Sequence, residues 1–128
     1  MPHLAIQHSD NIGTERMRFL CYALHDALIN TRLFPLGGIR VRAILCPAFS
    51  IADRHPQNAF VDMVYRIGVG RSEADKKHIG ELLMKTAEAH FADELAAPHF
   101  ALSLEIVEID SVFSWKANSM HARLKGQS

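Results

Sequence analysis

A chain of 128 residues with 48% apolar and 22% charged content has the size and composition of one globular domain spanning 1–128. Fourteen basic residues balance fourteen acidic ones. That removes any bulk electrostatic case for nucleic acid or an anionic membrane and leaves recognition of an acidic ligand to local arginines.

No basic segment precedes an apolar run, and no apolar run approaches 18 residues, so neither secretion nor membrane spanning is expected. Cys21 and Cys46 lie far apart and outside any CxxC pattern, which fits buried free thiols in a cytoplasmic protein.

The chain opens Met1-Pro2. A proline in second place permits removal of the initiator methionine, which would leave Pro2 with a free secondary amine. An unperturbed α-amino group titrates at about 7.7–8.0. Burial and nearby cations lower that value, and a base poised near the working pH suits proton transfer. The plain alternative is a proline with no role; a retained Met1 would make Pro2 an amide, which cannot act as a base.

Residues 2–8 place Leu4 and Ile6 on one face and predict a strand. Ser9-Asp10-Asn11 is turn chemistry, and Thr14 is a candidate N-cap. Met17, Leu20, Cys21, Leu24 and Leu28 recur at spacings of three and four, predicting an amphipathic helix over 14–30 that Asn30 can end. Leu33 to Gly38 holds too much Pro and Gly to be an element.

A strand is predicted from Ile39 to about Ala52, with Pro47 imposing a kink or an edge position. After a polar turn at 53–58, residues 59–67 alternate as another strand. Ser72 caps a predicted helix over 73–95, whose buried face holds Ile79, Leu82, Leu83, Ala87, Phe91 and Leu95. A last strand spans 101–109, Asn118 to His121 forms a short strand or helical turn, and the terminal KGQS is expected to be an ordinary disordered end.

The order is strand, helix, strand, twice over. An internal βαβ duplication describes it economically: an α/β (α+β) domain with a four-stranded sheet and two helices on one face. The other sheet face is then left without helices, and a hydrophobic second face implies burial between subunits.

Arg71 stands where a strand ends, a Gly-Val-Gly turn follows and a helix begins, a place that favours anions. Its plain alternative is a surface arginine beside a tight turn. Arg40 begins a strand, with a solvent-facing residue paired to an acid as its alternative. Arg42 shares the face of Arg40 and reads as a rim charge. Gly68-Val69-Gly70 lacks the third glycine of a dinucleotide fingerprint. The eight histidines scatter over every element with no metal-ligand spacing, so no metal is expected.

The opening MPHLAIQHSDNI, FPLGGIRVRA at 34–43, AFVDMVYRIGVGRS at 59–72, and the later ALSLEIVEI and NSMHARL together resemble the tautomerase superfamily. Within it they are similar to the 5-carboxymethyl-2-hydroxymuconate isomerases. These segments span nearly the whole chain, and the likeness weakens over 14–30 and 46–58.

The resemblance implies a homotrimer without organic cofactor or metal, acting on a small polycarboxylate in homoprotocatechuate catabolism. It implies Pro2 as the catalytic amine, with Arg40 and Arg71 as the two functional arginines, both catalytic and substrate-binding. Phe113 is a further substrate-binding candidate, because the family's C-terminal segment lies near the site. Two other readings remain: a non-catalytic structural or binding trimer of the same fold, and a relative that hydrates or dehalogenates unsaturated acids.

Overall fold

The computed structural model describes residues 1–125; residues 126–128, most of the KGQS end, lie outside the described residues. The elements are β1 (His3–Ser9), α1 (Thr14–Thr31), a 3₁₀ turn (Leu36–Gly38), β2 (Arg40–Cys46), β3 (Ala59–Ile67), α2 (Glu73–His90), α3 (Ala92–Ala96), β4 (Phe100–Glu108) and α4 (Met120–Arg123).

The strands form one mixed sheet in the order β2-β1-β3-β4. β1 runs parallel to β2, and β3 runs parallel to β4; the central β1–β3 pair is antiparallel. Each βαβ unit therefore keeps its own parallel pair, and the two units join back to back. This is the duplicated architecture that the periodicity predicts.

Alternation along the strands decides the layers. Leu4 and Ile6 of β1 and Val61, Met63, Tyr65 and Ile67 of β3 are buried against the helices. They meet Met17, Leu20, Leu24 and Leu28 of α1 and Ile79, Leu83 and Ala87 of α2. Burying each such side chain contributes roughly 1.5–3 kcal/mol.

The opposite face is mixed rather than wholly apolar: Ala5, Ile44, Phe60, Val64, Ala101 and Val107 interleave with His3, Gln7, Arg40, Arg42, Asp62, Arg66, Ser103 and Glu105.

Element ends differ from expectation for local reasons. β2 stops at Cys46 because Pro47 has no N–H to donate to the ladder. Gly13, not Thr14, is the N-cap of α1, and no side chain caps that end. Ser72 does cap α2, its hydroxyl accepting from the Asp75 N–H at 3.1 Å.

The second helix breaks after His90 rather than running to 95. Phe91 leaves helical geometry with its ring buried 4.9 Å from that of Phe100, and the chain restarts as α3, with Leu95 turned outward. Among the described residues no helix is long and apolar enough to cross a membrane. Cys21 and Cys46 are free thiols, each half-buried.

Candidate functional site

Parallel and antiparallel pairing together bring four chain segments to one end of the sheet. β1 and β2 begin there; β3 and β4 finish there. The chain terminus, the 3₁₀ turn, the Gly68–Arg71 loop and the tail after β4 therefore meet. A cavity of about 420 Å³ lies between the terminus, the loop after β3 and the tail, lined by Met1, His3, Arg66, Gly68, Val69, Ile109, Asp110, Ser111, Ser114, Trp115 and Lys116.

Pro2 is buried at the start of β1, and its carbonyl accepts from the Arg40 N–H at 3.2 Å. A Cβ at Gly38 would stand 3.3 Å from Pro2 Cδ, a tight contact, and 3.6 Å from His121 Cε1, so the 3₁₀ turn packs closely on both rings. The His121 ring also lies over Gly37, where α4 packs on the turn.

Arg40 Nη1 donates to the Gly38 carbonyl at 3.1 Å, and its Nη2 donates to the Met1 sulfur at 3.1 Å. Arg71 is braced differently. Its guanidinium lies 4.3 Å from the centroid of the Phe34 ring and donates to the Leu33 carbonyl at 3.0 Å. Phe34 in turn meets Tyr65 edge-on. The Tyr65 hydroxyl is buried without a hydrogen-bond partner among the described residues, and burial pushes its pKa up while Arg71 opposes the shift.

The electrostatics of this end are one-sided. The register aligns Arg40, His3 and Arg66 in one row across three strands. Arg42 Nη1 lies 3.3 Å from His3 Nδ1. Among the described residues no ion pair engages Arg40, Arg66, Arg71 or Lys116. Asp110, the one carboxylate lining the cavity, instead accepts from the Val112 and Phe113 N–H groups.

The unbalanced charge is felt by the titrating groups. The terminal amine, carried here by Met1, is held below its ordinary 8.0 by burial first, then by Lys116, Arg40, Arg71 and Arg66. Burial, then Arg66, Arg40 and Arg42, lower the pKa of His3. An amine of this kind stays uncharged nearer neutrality, and free guanidinium forks suit carboxylates.

Of the residues singled out from sequence, the structure brings Pro2 and Arg40 together and sets the Arg71 charge within reach of the terminus. Pro2, Arg40, Arg71 and Phe113 all stand outside the cavity lining itself, which Met1, His3, Arg66, Trp115 and Lys116 supply; Phe113 is 75% exposed. Lys116, Arg66, Asn118 and His121 have no role that the sequence alone assigns. Strand alternation could have put Arg66 on the face of Arg40, but only the register makes them neighbours. The NSMHARL segment holds Asn118 and His121, and nothing in its spacing says what it packs against.

Among described residues, no cluster of three or more His, Cys, Asp or Glu side chains could hold a metal ion. The arrangement offers an amine, several cations that no described acid pairs, and a cavity that suits an anionic organic molecule.

Comparisons with known proteins point the same way. The family described as 5-carboxymethyl-2-hydroxymuconate isomerase matches residues 2–124. A 5-carboxymethyl-2-hydroxymuconate Delta-isomerase from Escherichia coli is 36% identical over 126 residues, covering 98% of this chain and 100% of that one. The crystal structure of a 5-carboxymethyl-2-hydroxymuconate isomerase from Deinococcus radiodurans R1 superposes with a TM-score of 0.91 at 39% identity, over 97% of this chain and 94% of the other. A fused 4-OT wild type asymmetric trimer shares the fold at 19% identity, with a TM-score of 0.66 over 96% of this chain and 98% of its own.

Proposed function

The chain belongs to the 5-carboxymethyl-2-hydroxymuconate isomerase family, and from that premise we propose that it ketonises 5-carboxymethyl-2-hydroxymuconate through the amine of Pro2 once Met1 is removed. The substrate is an enol, a 2-hydroxydienoate carrying carboxylates. The neutral amine takes the hydroxyl proton, and the electron pair moves through the diene as the C–O bond becomes a carbonyl. The ammonium then returns a proton to carbon, so that one C=C bond is lost and the other is transposed.

Arg40 and Arg71 hold carboxylates and stabilise the dienolate as its charge develops. Lys116 and Arg66 add to the field that keeps the amine uncharged. The observation that carries this reading is a terminus with a lowered pKa beside a cavity and four cations that no acid neutralises among the described residues.

The cavity is also open on the side of the tail. Val112, Phe113 and Trp115 are 70%, 75% and 85% exposed, a run of large apolar groups beside a polar site. We assign their cover, and a role for Phe113 at the site, to a neighbouring copy in a homotrimer. The free thiols fit a cytoplasmic setting, and the substrate places the reaction in aromatic catabolism.

The test is an ultraviolet assay of the processed chain against a panel of 2-hydroxymuconates. Ketonisation should be present, and Pro2→Ala or a retained Met1 should lower it about 10²–10⁴-fold, the usual worth of a positioned general base. The pH profile follows from the sign of the shift. The cations that lower the Met1 amine would act the same way on a Pro2 amine and favour its free base, so kcat/KM should rise with pH through that amine's pKa and flatten above it. A kcat/KM that falls as the amine loses its proton, or full activity with Met1 in place, sinks the mechanism.

A further inference from the structure

The Met1 sulfur accepts hydrogen bonds from two side chains distant in sequence. Arg40 Nη2 donates to it at 3.1 Å and Asn118 Nδ2 at 3.3 Å. Thioether sulfur is a weak acceptor, so it poorly rewards a charged guanidinium and a fixed amide. Both donors are aimed by the protein rather than by Met1. Asn118 Oδ1 accepts from the Met120 N–H at 2.8 Å, and Asn118 Nδ2 donates to the Gly37 carbonyl at 2.8 Å. Those two bonds settle which end of the amide is which and leave its second N–H for the sulfur.

Arg40 is fixed in the same way by the next carbonyl, that of Gly38. The two glycines lie close under the His121 ring, and Gly38 also approaches Pro2. Two donors held by adjacent carbonyls thus converge on the sulfur of the residue that precedes Pro2.

We propose that Asn118 and Arg40 form a two-donor clamp for a single anionic oxygen of the substrate's 2-hydroxy acid end, and that the Met1 sulfur marks where this oxygen sits. The inference rests on the proposed ketonisation and adds to it a substrate-contacting residue from the C-terminal segment. Removing Met1 frees both donors together with the Pro2 amine, so one processing step exposes the base and its clamp. An oxygen anion accepts more strongly than a thioether, and donors that need no reorientation lose less on binding. Asn118 must be an amide in this role. A carboxylate in its place would pair with Arg40 and repel the ligand, which is why Asn118→Asp is the sharpest variant.

The experiment measures binding of 2-oxoadipate, a saturated 2-oxo diacid, to the full chain by calorimetry, alongside ketonisation. The processed wild type should bind it. Asn118→Asp should weaken binding about tenfold or more, and Asn118→Ala by several-fold to tenfold, the range for a hydrogen bond to a charged group. Both variants should keep a cooperative thermal transition. Chain prepared with Met1 retained, by inhibiting the aminopeptidase, should not bind.

Wild-type affinity in Asn118→Asp, equal affinity in the Met1-retaining chain, or no binding by processed wild type would each overturn the clamp. Intact, Asn118-dependent binding without ketonisation would strike the proposed reaction and leave the clamp standing.

Discussion

The two ends of the sheet are built from similar side chains and differ in how those side chains are satisfied. At the end opposite the chain terminus, Asn58 Nδ2 donates to the Asp53 carboxylate at 2.9 Å and to the Ile51 carbonyl at 3.1 Å, while its Oδ1 lies 3.2 Å from His99 Nδ1. Asn11 donates to the Asn58 carbonyl, His55 stacks on His99, and Ser9 Oγ accepts from the Phe60 N–H. The Asn58 hydrogen bond is the main reason the Asp53 carboxyl titrates below its ordinary value.

The near end has Arg40, Arg66, Arg71 and Lys116 with no acid paired to them among the described residues. The far end has one such cation, Arg54, which donates to the Ser50 hydroxyl; the near end gathers four. An end whose donors and acceptors are matched holds loops in place, and an end with surplus donors is prepared for an anion it does not itself contain.

The largest effects should come from the unbalanced end. Arg40→Ala or Arg71→Ala should reduce ketonisation about 10²–10³-fold, the scale for losing a donor to a developing anion, with little change in melting temperature. The control is Arg16→Ala, whose guanidinium pairs with Glu94 and donates to the His90 carbonyl. That pair is partly solvent-exposed, so its loss should cost about 0.5–1 kcal/mol of stability and leave turnover alone. Equal losses of turnover in Arg71→Ala and Arg16→Ala would remove Arg71 from the chemistry.

The opposite end should respond in the opposite sense. Asn58→Ala removes the hydrogen bonds of a buried side chain, while its partners Asp53, Ile51 and His99 stay open to water, so it should cost about 0.5–1.5 kcal/mol in denaturant unfolding, while the folded enzyme keeps its kcat/KM. A variant that unfolds normally but has lost turnover would make the two ends functionally alike and break the contrast.

A smaller test probes the boundary between them. Tyr65 has a buried hydroxyl with no partner among the described residues, under the Phe34 ring that carries Arg71. Tyr65→Phe removes an unmet polar group and should be neutral or stabilising by about 1 kcal/mol. A clear loss of stability would show that the hydroxyl is bonded in the working protein.

Much of this was legible in the sequence. Period-two alternation marked β3 at 59–67 without error in its ends, and the three-and-four spacing from Met17 to Leu28 marked α1. The repeated strand–helix–strand order implied the duplication, and Pro2, Arg40 and Arg71 stand out from the residues and the resemblance alone.

Errors fell where a tertiary contact overrode a local pattern. Phe91 fits the apolar stripe of α2 yet leaves the helix, its ring against Phe100 of a strand that comes later. The open sheet face is apolar in part only, since Arg40, Arg42, Asp62 and Arg66 alternate with Ile44, Phe60 and Val64 there. Trp115, which nothing in the sequence favours over Phe113, lines the cavity.

By itself the sequence determined which segments are strands and helices and which residues could do acid–base and anion-binding work, because propensity, capping and periodicity act over a few neighbouring residues. Only the tertiary structure decided that the beginnings of β1 and β2 and the ends of β3 and β4 share one edge of the sheet. Strand register then set Arg66 beside His3, and the fold of the tail brought Asn118 and Lys116 to the terminus. Those encounters join residues far apart in the chain, and their geometry exists only once the long-range pairing has formed.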